Sequence, residues 1–198
     1  APALAANNYM ARVVQVVDLG VQPQRAWQGE EKPPVQQIRV TYELGTEFLD
    51  GDESKPRWIS EQFPLYSMGS ELAKSTKRYL AIDAAKKFGG DWSKLVGEAC
   101  LVQVTEYQKK DGTTGNGVGS VAAPINGIPV PELVNEGSFF DYDAPSMDMF
   151  TSFPDWLKDI LTSSLSYDGS PLQKTLGGEP ISTPDSAQVD DVDEDMPV

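Results

Sequence analysis

Histidine is absent from the 198 residues, and cysteine occurs once, as Cys100. Without imidazole there is no histidine-based nucleophile triad, no histidine general base and no zinc site that depends on one. A single thiol forms neither a disulfide within the chain nor a thiolate metal cluster, which excludes a disulfide-stapled secreted domain and fits a reducing compartment. Long apolar runs are missing too, and the start APALAANNYMARVV has no basic flank leading into an apolar stretch. Neither a membrane span nor a signal peptide is expected, and the expected location is the cytoplasm. Cations run out toward the end: residues 131 to 198 carry 2 Lys or Arg against 15 Asp or Glu, whereas residues 1 to 130 carry 14 against 15. The net charge of −14 therefore belongs to the C-terminal third, and a polyanion-binding body remains compatible with it.

The body reads as short strands around one helix. ARVVQVVD, residues 11 to 18, is valine-rich and too short for a stable helix, so a buried strand is expected. Residues 20 to 34, with several prolines and glycines, form a long loop. In VQQIRVTYEL the apolar Ile38, Val40, Tyr42 and Leu44 alternate with polar residues, the period of a strand buried on one face. RWISEQF reads as a third strand; with Ile59 and Phe63 inward, Trp58, Ser60 and Gln62 face out. SELAKSTKRYLAIDAAKKF, residues 70 to 88, predicts one helix with Ser70 as N-cap and an apolar row at Leu72, Leu80, Ala84 and Phe88. EACLVQVTEY is a fourth strand with Cys100, Val102 and Val104 in the core. KKDG marks a hairpin turn, GTTGNG extends the loop, and VGSVAAP returns as the fifth strand. Strand, strand, strand, helix, strand, strand is the order of an OB-fold, a five-stranded barrel with its helix between strands 3 and 4; another small barrel with one helix fits as well. Beyond Pro124 a short helix over PDWLKDILTSSL, with Trp156, Leu157, Ile160 and Leu161 on its apolar face, docks on the barrel. The expected domain is 1–165, followed by a disordered acidic tail at 166–198.

Candidate catalytic groups are poor, and no enzyme, metal or cofactor is expected. GNGVGS at 115 to 120 enters a strand instead of a helix and lacks the GK[ST] ending, so it reads as a hairpin loop and not as a phosphate cradle. Asp141 with Asp143, and Asp190 with Asp191, read as solvated acids instead of cation ligands. Cys100 sits in a core pattern and reads as an inert thiol.

Cations interleaved with aromatics point elsewhere. Binding single-stranded DNA needs cations along the phosphates and flat side chains under the bases, with no titrating catalyst. On an OB-fold the site covers strands 2 and 3 and the loops joining strands 1 to 2 and 4 to 5. Arg25, Trp27 and Lys32 fall in the first loop, Arg39, Arg57 and Trp58 on the strand face, and Tyr107, Lys109 and Lys110 at the last hairpin. Trp27 and Trp58 fit a core or lid role equally well, and Tyr42 reads as core. Lys77 and Arg78, with Lys74, form a helix stripe that is either a solvated face or a further DNA contact.

The closing VDDVDEDMPV, with Asp190, Asp191, Asp193, Glu194 and Asp195 followed by Met196, Pro197 and Val198, resembles the acidic tip of bacterial single-stranded DNA-binding proteins. GSELAKSTKRYLAID, DWSKLVGEACLVQV, the KKDGTTGNG hairpin and PDWLKDIL look like phage-encoded single-stranded DNA-binding proteins with an OB-fold, over roughly residues 9 to 165. The resemblance implies a non-sequence-specific binder in phage replication or recombination, with a tail that competes with DNA and recruits replication or recombination proteins; self-association stays open. Bacterial tips usually end in phenylalanine, where this chain has Val198. The rival reading is an acidic structural or interaction protein, a virion component or DNA mimic. A mimic should carry acid on its folded body, and this body is balanced.

Overall fold

A computed structural model describes residues 1–177. The elements are β1 (Asn7–Gln22), β2 (Val35–Phe48), β3 (Pro56–Pro64), α1 (Lys74–Ile82), β4 (Ala99–Gln108), β5 (Thr114–Ala122), β6 (Ser138–Phe140), α2 (Met147–Ser152), α3 (Asp155–Thr162) and α4 (Pro171–Leu176). The three strands, helix and two strands expected from the sequence occur in that order. They form an antiparallel sheet ordered β3-β2-β1-β4-β5, with the short β6 lying parallel to β1. The expected closed five-stranded OB barrel is corrected: among the described residues no ladder joins β3 to β5, and the sheet stays open. The two edge strands approach one another, and α1 packs against both.

Non-alternating valines in β1 have a structural cause. Tyr9, Ala11 and Val13 face a first core, shared with Ile38, Val40, Tyr42 and Leu44 of β2 and with Cys100, Val102 and Val104 of β4. The register against β2 then slips between Val13 and Gln15, a bulge that flips the side-chain parity of a period-2 strand. Val16 therefore also points into the first core, while Val17 and Leu19 point into a second one. A second slip between Asp18 and Val21 contains Gly20 at φ +69°. A side chain there would be strained and would also meet the Ser164 and Ser166 hydroxyls at 2.6 and 2.7 Å. In β5 a slip opposite Gln103 and Val104 lets Val118 and Val121, three apart, both turn inward. GNGVGS lies within this strand, so the loop expected over 109–117 is shorter, running from Lys109 to Thr113.

The second core gathers Phe140, Tyr142, Phe150, Phe153, Leu157, Ile160, Leu161, Tyr167 and Leu172 around Val17 and Leu19. This corrects the expectation that the tail begins at 166. Tyr167 and Leu172 are buried, and Ser170 caps α4 by accepting the Gln173 amide. The expected contacts of Asp190, Asp191, Asp193, Glu194, Asp195, Met196, Pro197 and Val198 lie outside the described residues.

Helix α1 departs most from its sequence pattern. It has 9 residues, and Leu72, assigned to its apolar row, is 87% exposed. The helix instead buries Ser75, Thr76, Arg78, Tyr79 and Ile82. It stops because the Asp83 carboxylate accepts the amides of Lys87 (2.8 Å) and Phe88 (3.0 Å), and Lys86 turns to φ +53°. Its orientation is set by Glu61, which the pleat of β3 sends inward. The Glu61 carboxylate is buried and accepts from Arg78 Nε (2.9 Å), from Arg78 Nη2 (3.3 Å) and from the Tyr42 hydroxyl (2.8 Å), with Lys74 Nζ at 3.3 Å. A buried carboxylate is tolerated only when its lone pairs are filled in this way. Arg78→Ala is expected to lower the unfolding free energy by about 3 kcal/mol in urea denaturation, because Glu61 loses its main countercharge. Combining it with Glu61→Gln should recover a large part of that loss.

Candidate nucleic-acid interface

The pleat dictates which side chains of β2 and β3 face away from the first core. Glu43 stands opposite Trp58, Thr41 opposite Ser60, Arg39 opposite Gln62 and Gln37 opposite Pro64. Trp58 is 47% exposed, in agreement with the register expected for the third strand. It is not loose, since its indole N–H donates to Glu43 Oε2 at 3.0 Å. Glu43 also accepts the amides of Val134 (2.6 Å) and Asn135 (3.3 Å) and the Asn135 side chain (2.8 Å). On the neighbouring strand Arg12, paired with Glu43, donates to the carbonyls of Pro131 (2.8 Å), Val130 (3.0 Å) and Gly97 (2.8 Å) and reaches Glu132 at 3.3 Å. Two outward charges thus fasten the 130–135 segment across one end of the face, leaving Trp58 with its edge bound and part of its ring in solvent.

At the other end lies the loop between β1 and β2. Trp27 and Glu30 exchange both backbone hydrogen bonds at 2.9 Å, and Gln28 and Gly29 adopt positive φ between them, making the tight turn of a small hairpin. Trp27 stands 63% exposed on it, with the Lys32 ammonium 5.7 Å from its ring centroid. Arg25, Trp27 and Lys32 line a cleft of about 300 Å³ that Gln37 and Gln62 of the strand face complete. Gln62 donates to Gln37 Oε1 at 2.8 Å, while its own Oε1 is buried without a partner among the described residues. Arg39, across from Gln62, lays its guanidinium 4.6 Å from the ring centroid of Trp156 on α3. Burial lowers the Arg39 pKa to about 10, still far enough above neutrality to keep it charged.

Arg25, Trp27, Lys32, Arg39 and Trp58 thus share the outer surface formed by the loop and the β2–β3 face. Other expected residues fall elsewhere. Arg57 cannot share a face with Trp58, its neighbour in the same strand; its Nη1 donates to the Pro2 carbonyl at 2.7 Å. Arg78 is withdrawn from the expected helix stripe by Glu61, whereas Lys77 stays exposed on α1. Tyr107, Lys109 and Lys110 lie at the β4–β5 hairpin, where Tyr107 crosses the backbone of Gly115. A Cβ at Gly115 would sit 2.6 Å from Tyr107 Cζ and 3.0 Å from Lys109 Cε, so this glycine is what lets the ring lie flat. Trp156 departs from the apolar helix face expected to be covered. It is 39% exposed, beside Leu157, Ile160 and Leu161, which are buried as expected. Helical spacing alone offers no signal for this, because its partner Arg39 is remote in sequence.

Two plain expectations agree with the structure. Tyr42 is core, and Cys100 is buried with its thiol pushed up to about 12, first by burial and then by the neighbouring Glu61 charge. Such a thiol is a poor nucleophile. No protein-family description, curated protein or solved structure matches the chain.

Removing Trp58 should leave the fold intact, since Glu43 keeps three other donors and half the ring is already in solvent. If this surface takes single-stranded DNA, Trp58→Ala is expected to weaken that binding by about 1–3 kcal/mol, with little change in thermal unfolding. Lys109→Ala should instead act through the salt dependence of binding, reducing its slope by about 1. Titration of both variants with a labelled oligonucleotide at several salt concentrations checks this.

Proposed function

We propose that this chain binds single-stranded DNA with little sequence preference, in the manner of the phage-encoded single-stranded DNA-binding proteins its motifs resemble. The observation that carries the reading is the grouping of Arg25, Trp27, Lys32, Arg39 and Trp58 on one outer surface. Cations there can follow phosphates, and partly exposed indoles can stack under bases of any identity. Supporting it, the strand order and the helix between the third and fourth strands are compatible with a partly open OB-type sheet, a fold whose strand 2–3 face and flanking loops are its usual binding surface. The Tyr107, Lys109 and Lys110 hairpin lies at the opposite end of the sheet from the β1–β2 loop and is a separate contact for a longer strand. Replication or recombination in the cytoplasm of a host cell is the process this activity serves.

Fluorescence anisotropy with a labelled single strand and a matched duplex tests the proposal. With about four phosphates neutralised, log K against log salt should have a slope near −3, the value for single strands. Binding that ignores salt, or no binding at low salt, would sink it and favour an acidic interaction protein instead.

The sequence from Glu179 onward carries seven acids and no cation, a tethered polyanion that competes with DNA for the same cations and offers replication or recombination proteins a docking tip. Deleting residues 179–198 is expected to raise DNA affinity at low salt, and the gain should shrink as salt screens the tail over about 8 Å. Equal affinities of the full and shortened chains at every salt concentration would remove the competition mechanism.

A further inference from the structure

Helix α3 sends Leu157, Ile160 and Leu161 into the second core, yet leaves the largest side chain of the helix, Trp156, partly in solvent. An indole beside a buried apolar row would ordinarily be covered as well, because it has the most apolar area to lose to water. Here the ring is held over the β2–β3 face by the Arg39 guanidinium, 4.6 Å from its centroid. Arg39 faces Gln62 across the ladder, and Gln62 lines the cleft of Trp27 and Lys32. A flat, partly exposed aromatic plane and a guanidinium therefore stand together beside that cleft. Those are two features that a nucleotide unit uses: its base stacks and its phosphate takes a cation. Trp58 lies four strand positions away on the same face, about 14 Å along the sheet, so the two indoles serve different bases.

We infer that Trp156, oriented by Arg39, is a base-stacking platform of the single-strand site, so that the C-terminal extension completes the DNA surface instead of merely covering β1. The inference rests on the proposed single-strand binding. Its test uses the full chain and a fluorescein-labelled thymidine homopolymer in anisotropy titrations, with thermal unfolding followed in parallel. Trp156→Ala is expected to weaken binding about ten- to a hundred-fold, and Trp156→Phe should restore it to within about three-fold. The slope of log K against log salt should stay unchanged in both, because an indole carries no charge. Trp156→Leu keeps apolar bulk beside the second core, so it gives the answer if the alanine variant melts: weakened binding at wild-type stability supports stacking. If wild-type protein binds and both Trp156→Ala and Trp156→Leu bind equally well, Trp156 is only a cover for Arg39 and the inference fails alone. If the wild-type chain itself ignores the oligonucleotide at low salt, the single-strand reading fails and takes this site with it.

Discussion

Burial of β1 on both faces from Val13 onward is the constraint from which the rest of the architecture follows, since a strand covered on two sides needs two separate sets of apolar partners. The sheet itself supplies the first, through β2 and β4. The second has to come from elsewhere in the chain, and residues 140 to 172 provide it. Two slips of register make the double duty possible, by letting Val16 serve one core and Val17 and Leu19 the other. The edge of β1 is shared in the same way, with β4 along Asn7–Arg12 and then β6 along Gln15–Val17.

Charges inside this frame work mostly as fasteners. Arg12 and Glu43 tie down the 130–135 segment, and Glu61 with Arg78 and Lys74 positions α1. Residues 55 to 110 hold ten bases against six acids, but four of those bases are engaged within the fold: Arg78 and Lys74 face Glu61, Lys55 faces Asp52, and Arg57 holds Pro2. The cations gathered with aromatics come instead from the β1–β2 loop and from β2. They are few, so under the proposed single-strand binding stacking has to supply more of the affinity than charge on that surface.

Strands were legible wherever period 2 was intact. Ile38 to Leu44 and Ile59 to Phe63 face inward as their alternation requires, and Trp58 faces out for the same reason. Valines of β1 carried only the message of burial, because a bulge is invisible to a periodicity count. The helix was overextended because Ser, Thr and Arg at its buried positions look like a solvated face until Glu61, itself a polar residue in a strand, is known to point inward. Trp27, Trp58 and Arg39 could be placed from local pattern. Trp156 could not, since its partner lies more than a hundred residues away and an apolar helix face looks the same whether a tryptophan on it is covered or left at the rim.

The shared strand also orders the events of folding. Gln22 donates to the Ile160 carbonyl across 138 residues, and Val17 and Leu19 wait for side chains from residues 140 to 172. A chain emerging from the ribosome can pair β1 with β2, and β2 with β3, early, but the opposite side of β1 stays bare until residues 140 to 172 have followed. Contacts of such long sequence separation slow folding and prolong the exposure of apolar surface. The first strand of the sheet to be synthesised is thus enclosed only after the strands that pair with it along its length are already in place.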